Sequence, residues 1–307
     1  FVYSEEGETR ANEKQEPVSN RDFYFKTAQR LIRLLDENTG LGHVFRVDAR
    51  LRPYGDSGAL AVNLKAALDY YGAAARTWER QALLKAGIVA GSEELGREFL
   101  SGVRPLIFRE SLGTDSIREI RRMKTQIESA AQAREEELRD VKTGFGGIRD
   151  IEFTVQFLQL LHGRRYPSLQ KPGTVAALRE LELQKCVTRE ERLGLEDAYL
   201  FLRKVEHRLQ VLHQLQTHLL PESEAEMEKL ARRMGYSAPA VEKFRAQLRT
   251  HTGRARKLLN WILHHSFTED ATHQPEVDFI LAGENRPALS TAATGPETVH
   301  SVGAFTA

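Results

Sequence analysis

The chain has almost no cysteine, since Cys186 is the only one among its 307 residues. A single thiol excludes an internal disulfide framework and a zinc site built on cysteines. It also fits a reducing compartment, so we expect a cytoplasmic protein. No apolar run approaches the roughly 20 residues needed to cross a bilayer. No signal peptide is recognisable either. We therefore expect no membrane partner.

Neither sign of charge dominates the sequence. Lysine and arginine number 44 against 43 aspartates and glutamates, which gives a formal net charge of +1 at pH 7. The basic residues are spread among acids rather than interleaved with aromatic side chains. This pattern predicts no nucleic-acid partner.

The pattern of apolar residues predicts an α+β fold that is mostly α. We expect a small mixed part at residues 1–145, a helical bundle at 146–266, and a linker or disordered tail at 267–307. Phe1–Ser4 is typical of the end of a strand, so we expect the chain to be cut from a longer protein. The predicted elements are helices at 22–36, 64–85, 92–99, 115–138, 148–161, 188–218, 222–234 and 238–265, and short strands at 59–62 and 140–143.

Acidic and basic residues alternate in the segment from Phe45 to Gly58. In an extended strand, Asp48, Arg50 and Arg52 share one face, because side chains alternate between the two faces. Aspartate supplies a hard oxygen for Mg²⁺, and arginine supplies bidentate donors for phosphate oxygens. The other interpretation is a solvated edge strand in which the aspartate and an arginine neutralise each other.

A second segment, from Lys142 to Glu152, places the pair Gly146–Gly147 before a helix. Two glycines permit close backbone approach to a ligand and leave N–H groups for an anion. The spacing is neither that of a P-loop nor that of a dinucleotide-binding fingerprint. The acids of the first helical turns are also explained by the helix dipole alone.

A third group lies on the predicted helix 64–85, where Glu79 and Arg80 precede Lys85. A surface ion pair explains the first two equally well, and such a pair contributes little to stability.

Five segments, in this order, resemble the bacterial glutamine synthetase adenylyltransferase family, whose members carry two nucleotidyltransferase domains. The segments are 46–58, 78–86, 141–156, 198–210 and 217–221, and the resemblance covers roughly residues 40 to 265. It implies a polymerase-β-like nucleotidyltransferase core, incomplete here, followed by a helical bundle.

The resemblance also implies a metal site, in which Asp48 is the third carboxylate and binds Mg²⁺. The family's Gly-Ser turn and paired aspartates are expected just before Phe1, so we expect this piece alone to be inactive. Arg50 and Arg52 are the expected catalytic arginines, and Glu79 and Glu152 are possible further metal ligands. The expected nucleotide or phosphate contacts are Ser57, Gly58, Arg80, Lys85, Lys142, Gly146, Gly147 and Arg149.

Two stretches look more like the amino-terminal half of the family protein: Ile148–Arg149, and Glu206-His-Arg with Thr217-His and Pro221. In the family that half removes AMP from a tyrosine of glutamine synthetase, with phosphate consumed and ADP released. The implied partners are glutamine synthetase and a PII-type signal protein, and the implied nucleotides are ATP and ADP. The alternatives are the half that adds AMP from ATP, and a non-catalytic module that docks either partner.

Overall fold

The structure, a computed structural model, describes residues 1–10, 16–40, 42, 45–108, 139–213 and 217–269. The chain divides into two compact units, Phe1–Glu110 and Ser111–Ala307. Residues 139–145 therefore group with the helical unit, whereas the sequence pattern assigns them to the first part. A functional boundary at residue 145 stays a prediction.

The first unit combines a short parallel sheet with helices. Strand β1 (Val2–Tyr3) pairs with β2 (Val62–Asn63), with Val2 opposite Val62. The helices are α1 (Asn20–Asp36), α2 (Leu64–Ala73), α3 (Thr77–Leu83) and α4 (Glu93–Ile107). The predicted helix at 22–36 is confirmed, and it begins where the Ser19 side chain accepts the Asp22 N–H at 3.0 Å.

The single helix predicted at 64–85 is wrong, because the structure has two helices with a break at residues 74–76. Arg76 has an extended backbone, with ψ of 163°, and precedes the first residue of α3. The Glu79 carboxylate accepts the Arg76 N–H at 2.9 Å, so a new helix begins at this point. The apolar pattern continues across the break, which is why the sequence does not reveal it.

The second unit is a bundle of helices. They are α5 (Ile148–His162), α6 (Thr174–Leu183), α7 (Arg189–His213), α8 (Glu224–Arg233) and α9 (Ala240–Glu269). The capping box predicted at Thr188 is confirmed, since its N–H donates to Glu191 at 2.8 Å and its hydroxyl accepts the Glu191 N–H. Large side chains fill the core, among them Phe157, Leu158, Leu178, Leu202, Leu209, Phe244 and Ile262.

The chain enters this bundle through a short backbone pairing. Arg139 and Val141 lie beside residues 218–220: the Leu220 N–H donates to the Arg139 carbonyl at 2.8 Å, and the Val141 N–H to the His218 carbonyl at 3.0 Å. The strand predicted at 140–143 is thus reduced to one antiparallel bridge between Asp140 and Leu219. The Arg139 guanidinium also donates to the Leu220 carbonyl.

Helix α9 ends at Glu269, so the first three residues of the tail predicted at 267–307 are helical. The sequence from Trp261 to Glu269 contains no proline or glycine that would end the helix earlier. The rest of that prediction, and the helix predicted at 115–138, lie outside the described residues. The fold class, α+β and mostly α, is confirmed. In the described part, no helix is long and apolar enough to span a membrane.

Candidate functional site

The segment that contains Asp48 belongs to no helix or strand among the described residues. The Arg50 guanidinium donates to both carboxylate oxygens of Asp48, at 2.6 Å from its Nη2 and at 2.9 Å and 3.1 Å from its Nε. Leu51 would lie on the opposite face of such a strand, among apolar residues, yet it is 65 % exposed. The described contacts contain the Asp–Arg pair of the second interpretation, although the segment is not an edge strand.

This pair sets the electrostatics of Asp48. Hydrogen bonds from the Arg50 side chain, followed by its backbone N–H, hold the pKa of the Asp48 carboxyl well below its usual range. The same contact raises the pKa of the Arg50 guanidinium. Asp48 is therefore an anion at every physiological pH. Because both side chains are more than half exposed, the pair contributes little to stability.

Arg52 holds a loop together instead of facing solvent. Its side chain is only 15 % exposed. It donates to three backbone carbonyls: those of Ala49 at 2.6 Å, Gly58 at 3.0 Å and Asp56 at 3.1 Å. These bonds engage each of the three guanidinium nitrogens, so Arg52 has a structural role in this loop.

The same loop fixes Ser57 and Gly58. The Ser57 hydroxyl donates to the Tyr54 carbonyl at 2.7 Å. A Cβ on Gly58 would lie 1.8 Å from the Pro53 carbonyl oxygen, so only glycine fits there. Tyr54 itself has a φ of 63°, which is unusual for a residue with a side chain. Both predicted phosphate contacts thus have structural roles in this conformation.

Glu79 is buried in the first unit, with 8 % exposure. Its carboxylate accepts the Tyr70 hydroxyl at 2.7 Å and the Arg76 N–H at 2.9 Å. These contacts join α2 to the start of α3. Arg80 donates to the Ala75 carbonyl at 2.8 Å, and Lys85 is exposed just beyond the end of α3. The surface ion pair suggested for Glu79 and Arg80 is not what the described contacts show.

The Gly146–Gly147 turn is closed by its own hydrogen bonds. The Gly146 N–H donates to the Asp150 carboxylate at 2.8 Å, and the Gly147 N–H to the Gly144 carbonyl at 2.9 Å. The expectation that these N–H groups are free for an anion is therefore wrong. A carboxylate four residues later and a carbonyl within the turn already accept them.

Packing explains why glycine stands at position 146. Gly146 has a φ of +67°, and a Cβ there would lie 2.0 Å from the Thr252 carbonyl oxygen of α9. Asp150 also lies 3.4 Å from Arg256 of the same helix, and the Arg256 guanidinium lies over the Phe145 ring at 4.7 Å. The turn therefore anchors the start of α5 to α9.

Glu152 and Arg149 follow this turn on α5. Glu152 accepts the Tyr199 hydroxyl of α7 at 3.1 Å. Burial of the Tyr199 phenol is the largest cause of its raised pKa. Arg149 is exposed, and its N–H donates to the Lys142 carbonyl at 2.9 Å.

The structure brings together Arg203 and Glu206, neither of which is among the predicted site residues. Glu206 of α7 is 3 % exposed. Its carboxylate lies 2.6 Å from the Arg203 guanidinium and 3.6 Å from the Lys142 ammonium. A signal is present in the sequence, because Glu206 falls within the apolar period of α7, between Val205 and Leu209. An acid in that position needs a cationic partner.

The described residues do not by themselves form a Mg²⁺ site. Among them, no three histidine, cysteine, aspartate or glutamate side chains come together as a ligand set. Asp48 offers one exposed carboxylate, which suits Mg²⁺ in chemistry but not in ligand number. The Glu79 and Glu152 carboxylates already accept hydrogen bonds within their own units.

Two family models match the chain. The model described as glutamate-ammonia ligase adenylyltransferase matches residues 1–102. The model described as PII-uridylyltransferase matches residues 121–263. The boundary between the two matches falls close to the boundary between the two compact units.

Curated relatives match across both units, and each bears the name bifunctional glutamine synthetase adenylyltransferase/adenylyl-removing enzyme. The relative from Thioalkalivibrio sulfidiphilus is 42 % identical over 84 % of this chain and 26 % of its own length. The relative from Xanthobacter autotrophicus is 44 % identical over 76 % of the chain and 24 % of its own length. The relative from Pseudomonas putida is 35 % identical over 94 % of the chain and 28 % of its own length.

The class of protein follows from these matches, because both family models are named for enzymes that attach a nucleotide to a protein. The chain belongs to the glutamine synthetase adenylyltransferase family. It spans about a quarter of the length of the curated relatives it matches.

Proposed function

We propose that this chain belongs to the part of the enzyme that removes AMP from glutamine synthetase by phosphorolysis. Inorganic phosphate attacks the AMP phosphorus, the bond to the tyrosine oxygen breaks, and the tyrosine regains a proton. ADP is released. The proposal that this chain is part of such an enzyme rests on its 42 % identity to an adenylyltransferase/adenylyl-removing enzyme over 84 % of the chain.

The direction of the reaction is the finer part of this proposal. It rests on the resemblance of Ile148–Arg149 and the Glu206 and Thr217–Pro221 stretches to the AMP-removing half. The described contacts support a structural importance of these stretches. The Arg149 backbone N–H donates to the Lys142 carbonyl, and the Glu206 carboxylate lies beside two cations. The Arg139 guanidinium donates to the Leu220 carbonyl.

Asp48 is the carboxylate that we propose as a metal ligand, with Mg²⁺ as cofactor and ATP or ADP as nucleotide. Its anionic state and exposure support that role. Arg50 neutralises Asp48 in this conformation, and its guanidinium is the group that we propose to orient phosphate oxygens. Glutamine synthetase is the proposed protein substrate, a PII-type protein the proposed regulator, and the cytoplasm the proposed location.

A chimera tests the function without depending on where this chain begins or ends. Residues 1–265 replace the matching quarter of the T. sulfidiphilus relative, and a relative that lacks this quarter is the control. Each protein is incubated with adenylylated glutamine synthetase, Mg²⁺ and phosphate, and the mass of glutamine synthetase is followed.

We expect the deletion to abolish phosphate-dependent AMP loss and the chimera to restore it. If the chimera instead restores only AMP addition from ATP, the assignment moves to the adding half. If a folded chimera restores neither reaction but still binds glutamine synthetase, the docking alternative replaces catalysis.

A further inference from the structure

Helices α7 and α9 pack against each other and run in opposite directions. The Phe201 ring of α7 is stacked on the His251 ring of α9, with 4.4 Å between the ring centroids. Seven residues earlier in α7, a Cβ on Gly194 would lie 2.7 Å from the Arg254 Nε. Later residues of α7 therefore meet earlier residues of α9.

We call this contact the α7–α9 seam; its members are Gly194, Phe201, Arg208, His251 and Arg254. Arg208 belongs to it because Gly194, Phe201 and Arg208 follow each other at intervals of seven, so they share one face of α7. All members except Gly194 are partly exposed. The seam thus has an arginine at each end, two stacked rings between them, and access to solvent.

Both arginines of the seam lack a partner in the part of the chain that the structure describes. The Nε atoms of Arg208 and Arg254 are buried, and neither has a hydrogen-bond acceptor there. A buried guanidinium donor without an acceptor costs free energy. Each end of the seam therefore needs an acceptor that the described residues do not supply.

The surroundings of the seam carry more positive than negative charge. Lys204, three residues after Phe201, and Lys257, three residues after Arg254, are both exposed. On the same side of α7, the exposed acids are Glu190 and Asp197. With the two arginines, four cations stand against two acids, so the seam favours an acidic ligand.

The sequence that follows α9, outside the described residues, contains an acidic segment with an apolar centre. Residues 269–284 include no lysine or arginine, and their acids are Glu269, Asp270, Glu276, Asp278 and Glu284. The apolar run Phe279-Ile-Leu-Ala282 lies between the last two of these acids. The segment thus offers two carboxylates, six residues apart, with apolar side chains between them.

The spacing and the reach of this segment fit the seam. Arg208 lies fourteen residues after Gly194, which is about 21 Å along α7, and six extended residues from Asp278 to Glu284 span about 20 Å. Helix α9 ends at Glu269, about 22 Å along its axis from Arg254. The nine residues from Glu269 to Asp278 reach about 30 Å, which is enough to return to Arg254.

We propose that residues 276–284 bind in the α7–α9 seam of the same chain, with Asp278 at Arg254 and Glu284 at Arg208. The carboxylates accept hydrogen bonds from the two guanidinium groups. The apolar run between them covers the stacked rings of the seam. Because the segment is joined to α9, its binding is intramolecular, which raises its effective concentration. This inference goes beyond the proposed function and does not depend on the reaction.

Distances between two spin labels on the full 307-residue chain test the docking. One label is placed by Ala282→Cys in the segment. The other is placed by Gly253→Cys on α9, where an added Cβ meets nothing within 4 Å. A Cys186→Ala background removes the natural thiol. We expect one narrow distance distribution, because a docked segment holds the two labels at a fixed separation.

Arg254→Gln, Arg208→Gln and Asp278→Asn should each replace most of the narrow distribution by a broad one. Asp278→Asn changes no described contact, so its effect cannot come from a disturbed helical unit. Arg249→Gln is the matched control: Arg249 is an exposed cation of α9, two residues before His251 and hence on the far side of the helix from the seam. It should keep the narrow distribution.

The same measurement identifies the occupant of the seam. Dilution with an excess of unlabelled chain should leave the narrow distribution unchanged. If dilution removes it, the segment binds a second copy and the proposal is overturned. The proposal is also overturned if the parent chain gives only a broad distribution, or if Arg254→Gln and Asp278→Asn behave like Arg249→Gln.

Discussion

Replacement of Gly146 by alanine should strongly destabilise the helical unit. Gly146 has a φ of +67°, and an added Cβ would lie 2.0 Å from the Thr252 carbonyl oxygen and 3.1 Å from the α-carbon of Thr252. Both atoms belong to the backbone of α9, so no side-chain rotation relieves the contact. The turn or the helix must move by more than about 1 Å.

Two terms set the size of the effect. A left-handed conformation costs an alanine about 1–2 kcal/mol relative to glycine. Overpacking against a fixed backbone costs about 1–3 kcal/mol more. We therefore expect a loss of about 2–5 kcal/mol in the free energy of unfolding, a large part of the roughly 5–15 kcal/mol that stabilises a domain.

Urea unfolding followed by tryptophan fluorescence measures this loss. The chain has two tryptophans, Trp78 in the first unit and Trp261 in the second. A Trp78→Phe background leaves Trp261 as the reporter of the helical unit. Gly253→Ala is the control: Gly253 lies in α9 beside Thr252, and an added Cβ there meets nothing within 4 Å.

The Gly253→Ala control should raise the free energy of unfolding by about 0.5–1 kcal/mol, because alanine favours a helix more than glycine does. Gly146→Ala should therefore lower the free energy of unfolding, and Gly253→Ala should raise it. A Gly146→Ala variant that unfolds within about 0.5 kcal/mol of its parent would refute the close approach of this turn to α9.

Three further predictions follow from buried or shared polar groups. Glu79→Gln should lower the stability of the first unit by about 1–3 kcal/mol, since the carboxylate accepts two hydrogen bonds; Trp78 fluorescence in urea measures this. Hydrogen bonds from Ser168 and Gln184 are the main cause that lowers the Glu180 pKa to about 2. The ionised Glu180 carboxylate therefore stabilises the fold fully above its unfolded-state pKa, and this stabilisation is lost as pH falls through about 2. In the Glu180→Gln variant, the midpoint of thermal unfolding should therefore depend less on pH in acid. Arg52→Lys keeps the charge but loses the three-way carbonyl contact, so amide exchange at residues 49–58 should accelerate at least about tenfold.

The helical half of the fold is predictable because local signals agree there. The capping box at Thr188 and the apolar period of α7 both indicate the same helix, and the structure has it. The break after α2 is not predictable from periodicity. It depends on Glu79, which accepts hydrogen bonds from Tyr70 and Arg76 at once.

The candidate site is less accessible to sequence reasoning. The pair Gly146–Gly147 predicts an anion cradle, yet the donor groups of this turn are taken by Asp150 and Gly144. The pattern around Arg52 predicts a phosphate contact, yet this side chain binds three carbonyls of its own loop. In both cases the acceptor lies only a few residues away in sequence, and only the folded structure shows that the donor groups bind it.

The contacts of Glu206 with Lys142 and Arg203 are not predictable from the sequence either. Arg203 and Glu206 are 61 and 64 positions after Lys142 in the sequence, and no local pattern connects them. Their proximity depends on the packing of the entry turn against α7. Contacts of this range lie beyond what periodicity or spacing can reveal.

Isotope transfer distinguishes removal of AMP by phosphate from removal by water. The chimera is given adenylylated glutamine synthetase, Mg²⁺ and phosphate labelled with oxygen-18, and the released nucleotide is identified by mass. We expect ADP that carries labelled oxygens on its outer phosphate, and no such product from an Asp48→Asn chimera that remains folded. Release of unlabelled AMP would contradict the account, because it would show hydrolysis by water.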